Sequence, residues 1–217
     1  MGGIKYSLAV SSKVPLHSCQ HLSRAGFELG QILASQGHAL LTEIGFNLAH
    51  QVALGMTDKA GLSIGFSPAR NLRYHTVELQ LPVEGYDWIY YTASKDFPLL
   101  AQMISNAQGV ILVGAVMDNL VELSLALEID LPVGILLDET NQDNNTLLNY
   151  LRGLPVEQQR RVVIHQDPQI LLTAFNKIIA ESYQDLDSQL LADNKKLFDQ
   201  IMADALKIKS QAQSIGG

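Results

Sequence analysis

Short apolar runs of strand length alternate with stretches whose apolar residues recur at helical spacing, and this rhythm repeats along most of the chain. A strand is read around Ile4 to Val10. Leu22, Ala25, Leu29 and Leu33 then mark a helix face that Gly37 stops. Ala39-Leu40-Leu41 makes a second strand, Leu48, Val52 and Met56 a second helix face, and Leu62 to Phe66 a third strand ending at Ser67-Pro68. Trp88 to Tyr91 reads as a strand, Phe97, Leu100, Ala101 and Ile104 as a helix face, and Val110 to Val113 as a fully buried strand. Leu120, Leu123 and Leu127 give a further helix, Val133 to Leu137 and Arg161 to Ile164 two strands, and Pro168 to Ile179 a helix. Repeated βα units require right-handed crossovers and a helical layer on each face. The fold class is therefore α/β: a Rossmann-like, doubly wound, mostly parallel sheet. In such sheets ligands bind beyond the carboxyl ends of the strands.

From Tyr183 to Ile215 the strand signal stops, and Leu190, Leu197, Ile201 and Ile208 recur at roughly heptad spacing. The expected organisation is a Rossmann-type domain over 1–182 and a C-terminal amphipathic helical extension over 183–217. That helix packs back on the body or pairs with a second copy; on the second reading the protein is a homodimer. The polar run Asp138 to Asn145 reads as a solvated loop.

Composition narrows the function classes. The longest apolar runs fall far short of the roughly 20 residues of a membrane helix, and no basic segment followed by a long apolar one opens the chain, so a cytoplasmic protein without a membrane partner is expected. Cys19 is the single cysteine, which removes an intrachain disulfide and a thiolate cluster. His17, His21, His38, His50, His75 and His165 show no convincing metal spacing, and neither a metal nor another cofactor is expected. No nucleophile-elbow pattern points to an acyl hydrolase. A net charge of −7 and a pI near 5.3 argue against a nucleic-acid polymer as partner.

The candidate site residues follow the strands. Ser11, Ser12 and Lys13 come after the first, Thr42, Glu43, Gly45, Phe46 and Asn47 after the second, Pro68 and Arg70 after the third, and Gly114, Asp118 and Asn119 after the run at Val113. Two of these turns stand where a nucleotide-binding α/β protein places a glycine-rich phosphate loop, whose N–H groups and helix N-terminus hold an anion. Both turns carry an acid, Glu43 and Asp118. A carboxylate near a phosphate in a partly desolvated pocket costs on the order of several kcal/mol unless it turns away. Three outcomes fit: the acids point outward and phosphate binds, they favour a cationic or neutral ligand or a metal, or the pocket is vestigial. Lys13 supplies a cation at this edge, and Arg70 or Arg73 a forked clamp for phosphate or carboxylate.

The stretch Gly37-His38-Ala39-Leu40-Leu41-Thr42, with Gly45, Leu48, Val52 and Gly55, then Gly61 to Pro68, resembles the LOG-like (lysine-decarboxylase-like) Rossmann proteins. That family includes the cytokinin riboside monophosphate phosphoribohydrolases and is related to molybdenum-cofactor carrier proteins. Its Thr-Gly-Gly-Gly turn falls here at Thr42, and its Pro-Gly-Gly-x-Gly-Thr-x-x-Glu motif at Gly114-Ala115-Val116-Met117-Asp118-Asn119-Leu120-Val121-Glu122. The resemblance spans about residues 4 to 180 and implies the same fold. It also implies cleavage of the N-glycosidic bond of a nucleoside 5′-monophosphate, with Glu122 as the catalytic carboxylate. The family's arginine has no counterpart: its position falls near Leu99, and no arginine occurs between Arg73 and Arg152. The resemblance thus leads to a nucleotide-binding or related phosphate-ligand-binding protein with degenerate catalytic motifs. The alternatives are an active phosphoribohydrolase using Glu122 with a substitute cation, and a non-catalytic structural or regulatory subunit.

Overall fold

A computed structural model of the chain describes residues 5–16, 18–114, 119–138 and 144–183. Two compact units divide it, Met1–Ile179 and Ala180–Gly217. The expected terminal helix over 183–217 lies outside the described residues beyond Tyr183, as does Asp118.

Seven parallel strands form one sheet in the described residues: β1 (Ser7–Ser11), β2 (Ala39–Glu43), β3 (Ser63–Ser67), β4 (Trp88–Tyr91), β5 (Gly109–Val113), β6 (Val133–Leu136) and β7 (Val162–His165). Their order is β4-β3-β2-β1-β5-β6-β7. From β1 the chain winds outward through β2 to β4, then returns to lay β5 on the other side of β1. The gap between the carboxyl ends of β1 and β5 is therefore the switch point at which open α/β sheets bind ligands.

Helices cover both faces, as alternation along the strands requires. On one face Ala9, Val110, Leu112 and Ile135 join one cluster with Leu100 and Met103 of α3 (Asp96–Ser105), Leu123 and Leu127 of α4 (Leu120–Glu128), and Leu147 and Leu151 of α5 (Asn144–Arg152). The other face carries α1 (Gln20–Ser35) and α2 (Leu48–Asp58), which pack on each other and against β1 and β2. On that face Phe175 of the last helix, Pro168–Ser182, fills the space beside Gly109 and Gly134. The helices α1 and α2 touch backbone to backbone. A Cβ on Gly30 would lie 2.1 Å from the Val52 carbonyl oxygen, and one on Gly55 2.0 Å from that of Phe27. Among the described residues no helix is long and apolar enough to cross a membrane.

Three local readings are corrected. The second strand continues through Thr42 and Glu43, because β3 pairs with it up to Glu43 opposite Phe66. On α3 the buried stripe is Leu99, Leu100, Met103 and Ile104, while Phe97 is exposed. The short helix Val156–Gln159 and α5 were not anticipated; α5 begins inside the polar run and buries only Leu147 and Leu151 strongly.

Candidate functional site

Register brings the candidate residues to one edge. Val10 stands opposite Thr42 and Ser11 opposite Leu112, so β1, β2 and β5 end nearly level and their following segments meet above the switch point. The loop after β1 is tied to the turn after β2: Leu16 N donates to Phe46 O at 3.1 Å and Leu48 N to Val14 O at 3.0 Å. Thr42 Oγ1 donates to Val10 O at 2.8 Å and Ser12 Oγ to Val113 O at 2.8 Å, so both hydroxyls tie neighbouring strands together. Asn47 Oδ1 accepts from His50 N at 3.3 Å and caps α2.

Gly114 is the one motif glycine whose backbone demands glycine. Its φ is +63°, and a Cβ there would lie 2.9 Å from Leu22 Cδ1 and 3.0 Å from Val14 Cγ2. It ends β5, and Glu122 stands buried in the first turn of α4.

Glu122 is fully buried. Ser11 Oγ donates to its Oε1 at 3.1 Å, and Lys13 Nζ lies 3.1 Å from the same oxygen. Lys13 Nζ also reaches Glu43 Oε2 at 3.2 Å, so one ammonium bridges the end of β2 and the start of α4. Burial works against the charge on Lys13, but Glu43 and Glu122 outweigh it and hold the ammonium above its ordinary pKa. Lys13 stays a cation throughout the physiological range and is no nucleophile. Glu43 therefore turns neither outward nor toward a vacant anion site; it turns to Lys13. The three charges sum to −1.

Two polar groups at this centre have no partner among the described residues. Glu122 Oε2 accepts nothing, and the side-chain amide of Asn119 makes no hydrogen bond at either Oδ1 or Nδ2, although both residues are at most 1% exposed. An asparagine at the N-cap of α4 would ordinarily cap its own helix, but Asn119 makes no such bond. Leaving such groups unsatisfied costs about 1–3 kcal/mol each, more for a charge. One carboxylate oxygen and one side-chain amide are thus buried beside the switch point without a partner among the described residues.

The other predicted residues sit around this centre or apart from it. Gly45 and Phe46 form the turn after β2, with Phe46 exposed, and Pro68 follows β3 half-buried. Arg70 is exposed and lies over the Tyr74 ring at 5.1 Å. Leu99, near which the position of the family's arginine falls, is a core residue. Tyr86 and His50 went unassigned in the sequence. Tyr86 OH and His50 Nδ1 are 3.1 Å apart, and burial, with the nearby Glu43 charge, raises the Tyr86 pKa well above its usual value. Burial likewise lowers His50, partly offset by Glu84. The position of His50 three residues after its cap Asn47 places it at the start of α2, but Tyr86 carried no local signal.

A cavity of about 500 Å³ also opens on this edge, lined by Cys19, His21, Arg24, Asp138 and His165 among others. Within its lining Cys19 Sγ lies 3.6 Å from Asp138 Oδ2, and His165 Nδ1 accepts from Asp167 N at 2.9 Å. Among the described residues, buried side-chain groups without a partner lie at Glu122 and Asn119, and away from the switch point at His38, Ser63 and Asn176. Among the described residues no group of three or more His, Cys, Asp and Glu side chains is placed to hold a metal ion.

The all-parallel sheet, its strand order and its switch-point crevice define a Rossmann-like α/β protein of the LOG-like kind. The SLOG cluster4 family model matches residues 16–172, and the chain belongs to that family. No curated protein matches it. Among solved structures, it is similar to the molybdenum cofactor binding protein of Rippkaea orientalis at 21% identity, with a TM-score of 0.65 over 82% of this chain and 99% of that one. The molybdenum cofactor carrier protein of Chlamydomonas reinhardtii matches at 19% identity, with a TM-score of 0.62 over 81% of this chain and 99% of that one. DNA processing protein A of Helicobacter pylori, described by its single-stranded DNA binding mode, matches at 15% identity with a TM-score of 0.54, over 79% of this chain and 80% of that one. At these identities the likeness is one of fold.

The last of these corrects an expectation. Exclusion of a nucleic-acid polymer on whole-chain acidity does not stand, because the same fold occurs in a protein described as binding single-stranded DNA. Charge acts locally, over a Debye length of roughly 8–10 Å, so a chain's net charge does not decide what one edge of its sheet binds.

Proposed function

We propose that this chain binds a nucleotide or a related phosphate-bearing small ligand in the crevice between the ends of β1 and β5, with catalytic motifs that have degenerated. The observation that carries this reading is the pair of buried, unpartnered groups there, Glu122 Oε2 and the Asn119 amide. A ribose hydroxyl or a base N–H satisfies the carboxylate oxygen, and the amide reads a group that donates and accepts. Similarity to proteins described as molybdenum cofactor carriers supports a small-molecule site on this fold. The core position of Leu99 and the double engagement of Lys13 favour binding over hydrolysis, because neither position offers a free cation to hold the ribosyl phosphate while the base departs.

The test is a thermal-shift screen over nucleosides and nucleoside monophosphates, with free base assayed in parallel. A ligand at 100 times its dissociation constant stabilises by about 2.7 kcal/mol. Stabilisation without base release is the expected result. Base release abolished by Glu122→Ala would instead establish the hydrolase, and the absence of any stabilisation would leave a structural or regulatory role. The segment 183–217, with its heptad-spaced Leu190, Leu197, Ile201 and Ile208, is proposed as a separate helical unit that pairs two copies of the chain in the cytoplasm.

A further inference from the structure

We propose that the cavity between α1 and the carboxyl ends of β6 and β7 is a second ligand site, which takes a small zwitterion of the free amino-acid class and prefers one with a cationic side chain. The site stands apart from the salt-bridged cluster of Lys13, Glu43 and Glu122, none of which is among its described lining residues.

The cavity holds about 500 Å³, within the range of roughly 300–1,000 Å³ in which proteins bind small molecules. One wall is the side of α1 that carries Arg24 and Glu28. The other is the segment after β6, with Asp138, and the passage from His165, the last residue of β7, through Asp167 into the last helix. Ala25 and Pro168, both buried, add apolar surface that the methylenes of a side chain can cover.

The charges on the lining select the ligand. Among the described residues the side chains of Arg24 and Glu28 enter no ion pair and no hydrogen bond. Four residues apart on one helix they could pair with each other, but a cation placed N-terminal to the acid is the weaker order for such a pair. The cavity wall therefore presents an uncommitted guanidinium and an uncommitted carboxylate, separated by a rise of about 6 Å along the helix. An α-amino acid carries the complementary pair two bonds apart. Its carboxylate takes the guanidinium fork through two parallel N–H···O bonds, and its ammonium donates to Glu28.

The remaining groups add negative charge and neutral donors. Asp167 Oδ1 accepts from Ile170 N at 2.9 Å, a neutral partner that leaves its charge in place. Because His165 Nδ1 accepts from Asp167 N, the ring is neutral with its proton on Nε2, and it offers a donor there rather than a second cation. Glu28 and Asp167 thus set two carboxylates against one guanidinium. Such a lining repels a phosphate dianion and attracts a ligand whose side chain brings a further positive charge.

The experiment is calorimetric titration of the full chain, as wild type, Arg24→Gln and Glu28→Gln, with five probes: L-arginine, its neutral isostere L-citrulline, L-glutamate, L-argininamide and Nα-acetyl-L-arginine. The wild type is expected to bind L-arginine saturably at one site, more tightly than L-citrulline, with L-glutamate weakest. Arg24→Gln is expected to weaken L-arginine about tenfold and to leave L-argininamide, which lacks the carboxylate, unmoved. Glu28→Gln is expected to weaken both about tenfold and to leave Nα-acetyl-L-arginine, whose α-nitrogen is uncharged, unmoved. Both side chains are exposed on α1, so the variants should keep the wild-type urea midpoint, which is measured alongside. A folded wild type that binds none of the five would overturn the proposal. So would L-glutamate as the tightest probe, or an affinity for L-arginine that both substitutions leave unchanged.

Discussion

Ser11 Oγ donates to Glu122 Oε1 at 3.1 Å, joining the last residue of β1 to the first turn of α4 across the switch point. With Lys13 on the same oxygen, a buried carboxylate is held by one hydroxyl and one ammonium while its second oxygen is unpartnered. Placement near the N-terminus of α4 adds the favourable end of the helix dipole. The group is anchored through one oxygen and unpartnered, though buried, at the other.

Lys13 compensates the buried charge of Glu122, so Lys13→Met is expected to destabilise the fold. Removing one partner of a fully buried pair costs about 3–5 kcal/mol, and the 30% exposure of the Lys13 side chain reduces this to roughly 1–3 kcal/mol. Urea unfolding checks the value. Adding Glu122→Gln to Lys13→Met should recover much of the loss, and a strictly additive double variant would show that the two residues are not coupled.

The contact between α1 and α2 leaves no room for a methyl group at Gly30, where the obstacle is backbone rather than a side chain that swings away. Gly30→Ala is expected to cost roughly 3 kcal/mol or to prevent folding, since overpacking forces the helices apart. Gly153→Ala, whose Cβ would come no closer than 3.3 Å to a neighbouring carbonyl, serves as the mild comparison. Equal melting temperatures for the two variants would contradict the close crossing.

The succession of strands was readable because each strand is short, apolar and bounded, and helix faces such as Leu22, Ala25, Leu29 and Leu33 proved to be buried. The α3 face was not readable. The stripes Phe97-Leu100-Ala101-Ile104 and Leu99-Leu100-Met103-Ile104 share two residues and are equally apolar, so only the neighbours of the helix choose between them. In the candidate site, the residues after β1, β2 and β5 come together on one sheet edge, as their place after the strands implies, but the bridging of Lys13 between Glu43 and Glu122 joins positions 13, 43 and 122. No local spacing encodes such a contact; it exists only once the strand order places β1 between β2 and β5.

Below neutrality, stability is expected to fall through His38. Burial, with the nearby charge of Lys5, depresses its pKa from 6.5 to about 4. The unfolded chain therefore binds a proton between those values that the folded chain refuses, and stability present above pH 6.5 is lost progressively as pH falls toward 4. The loss amounts to roughly 1–3 kcal/mol at 1.36 kcal/mol per pKa unit, discounted for incomplete desolvation. Urea midpoints across this range for the wild type and His38→Leu measure it, and an equally steep profile in the variant would assign the effect to other groups.

Truncation after Ser182 tests the proposed pairing helix. Sedimentation of the full chain should give twice the 23.8 kDa protomer mass, and the truncated chain should sediment as a protomer. A truncated dimer would move the interface to the body, where Trp88 and Tyr90 of β4 are 66% and 49% exposed.

The central claim is that the unpartnered groups of Glu122 and Asn119 form a ligand site. Its most direct measurement is calorimetric titration of nucleosides and nucleoside monophosphates into the wild type, Asn119→Ala and Glu122→Gln. The account predicts saturable binding of at least one compound by the wild type, weakened tenfold or more by either substitution while the urea midpoint shows the variant folded. Binding that survives both substitutions, or no binding by a folded wild type, would contradict it.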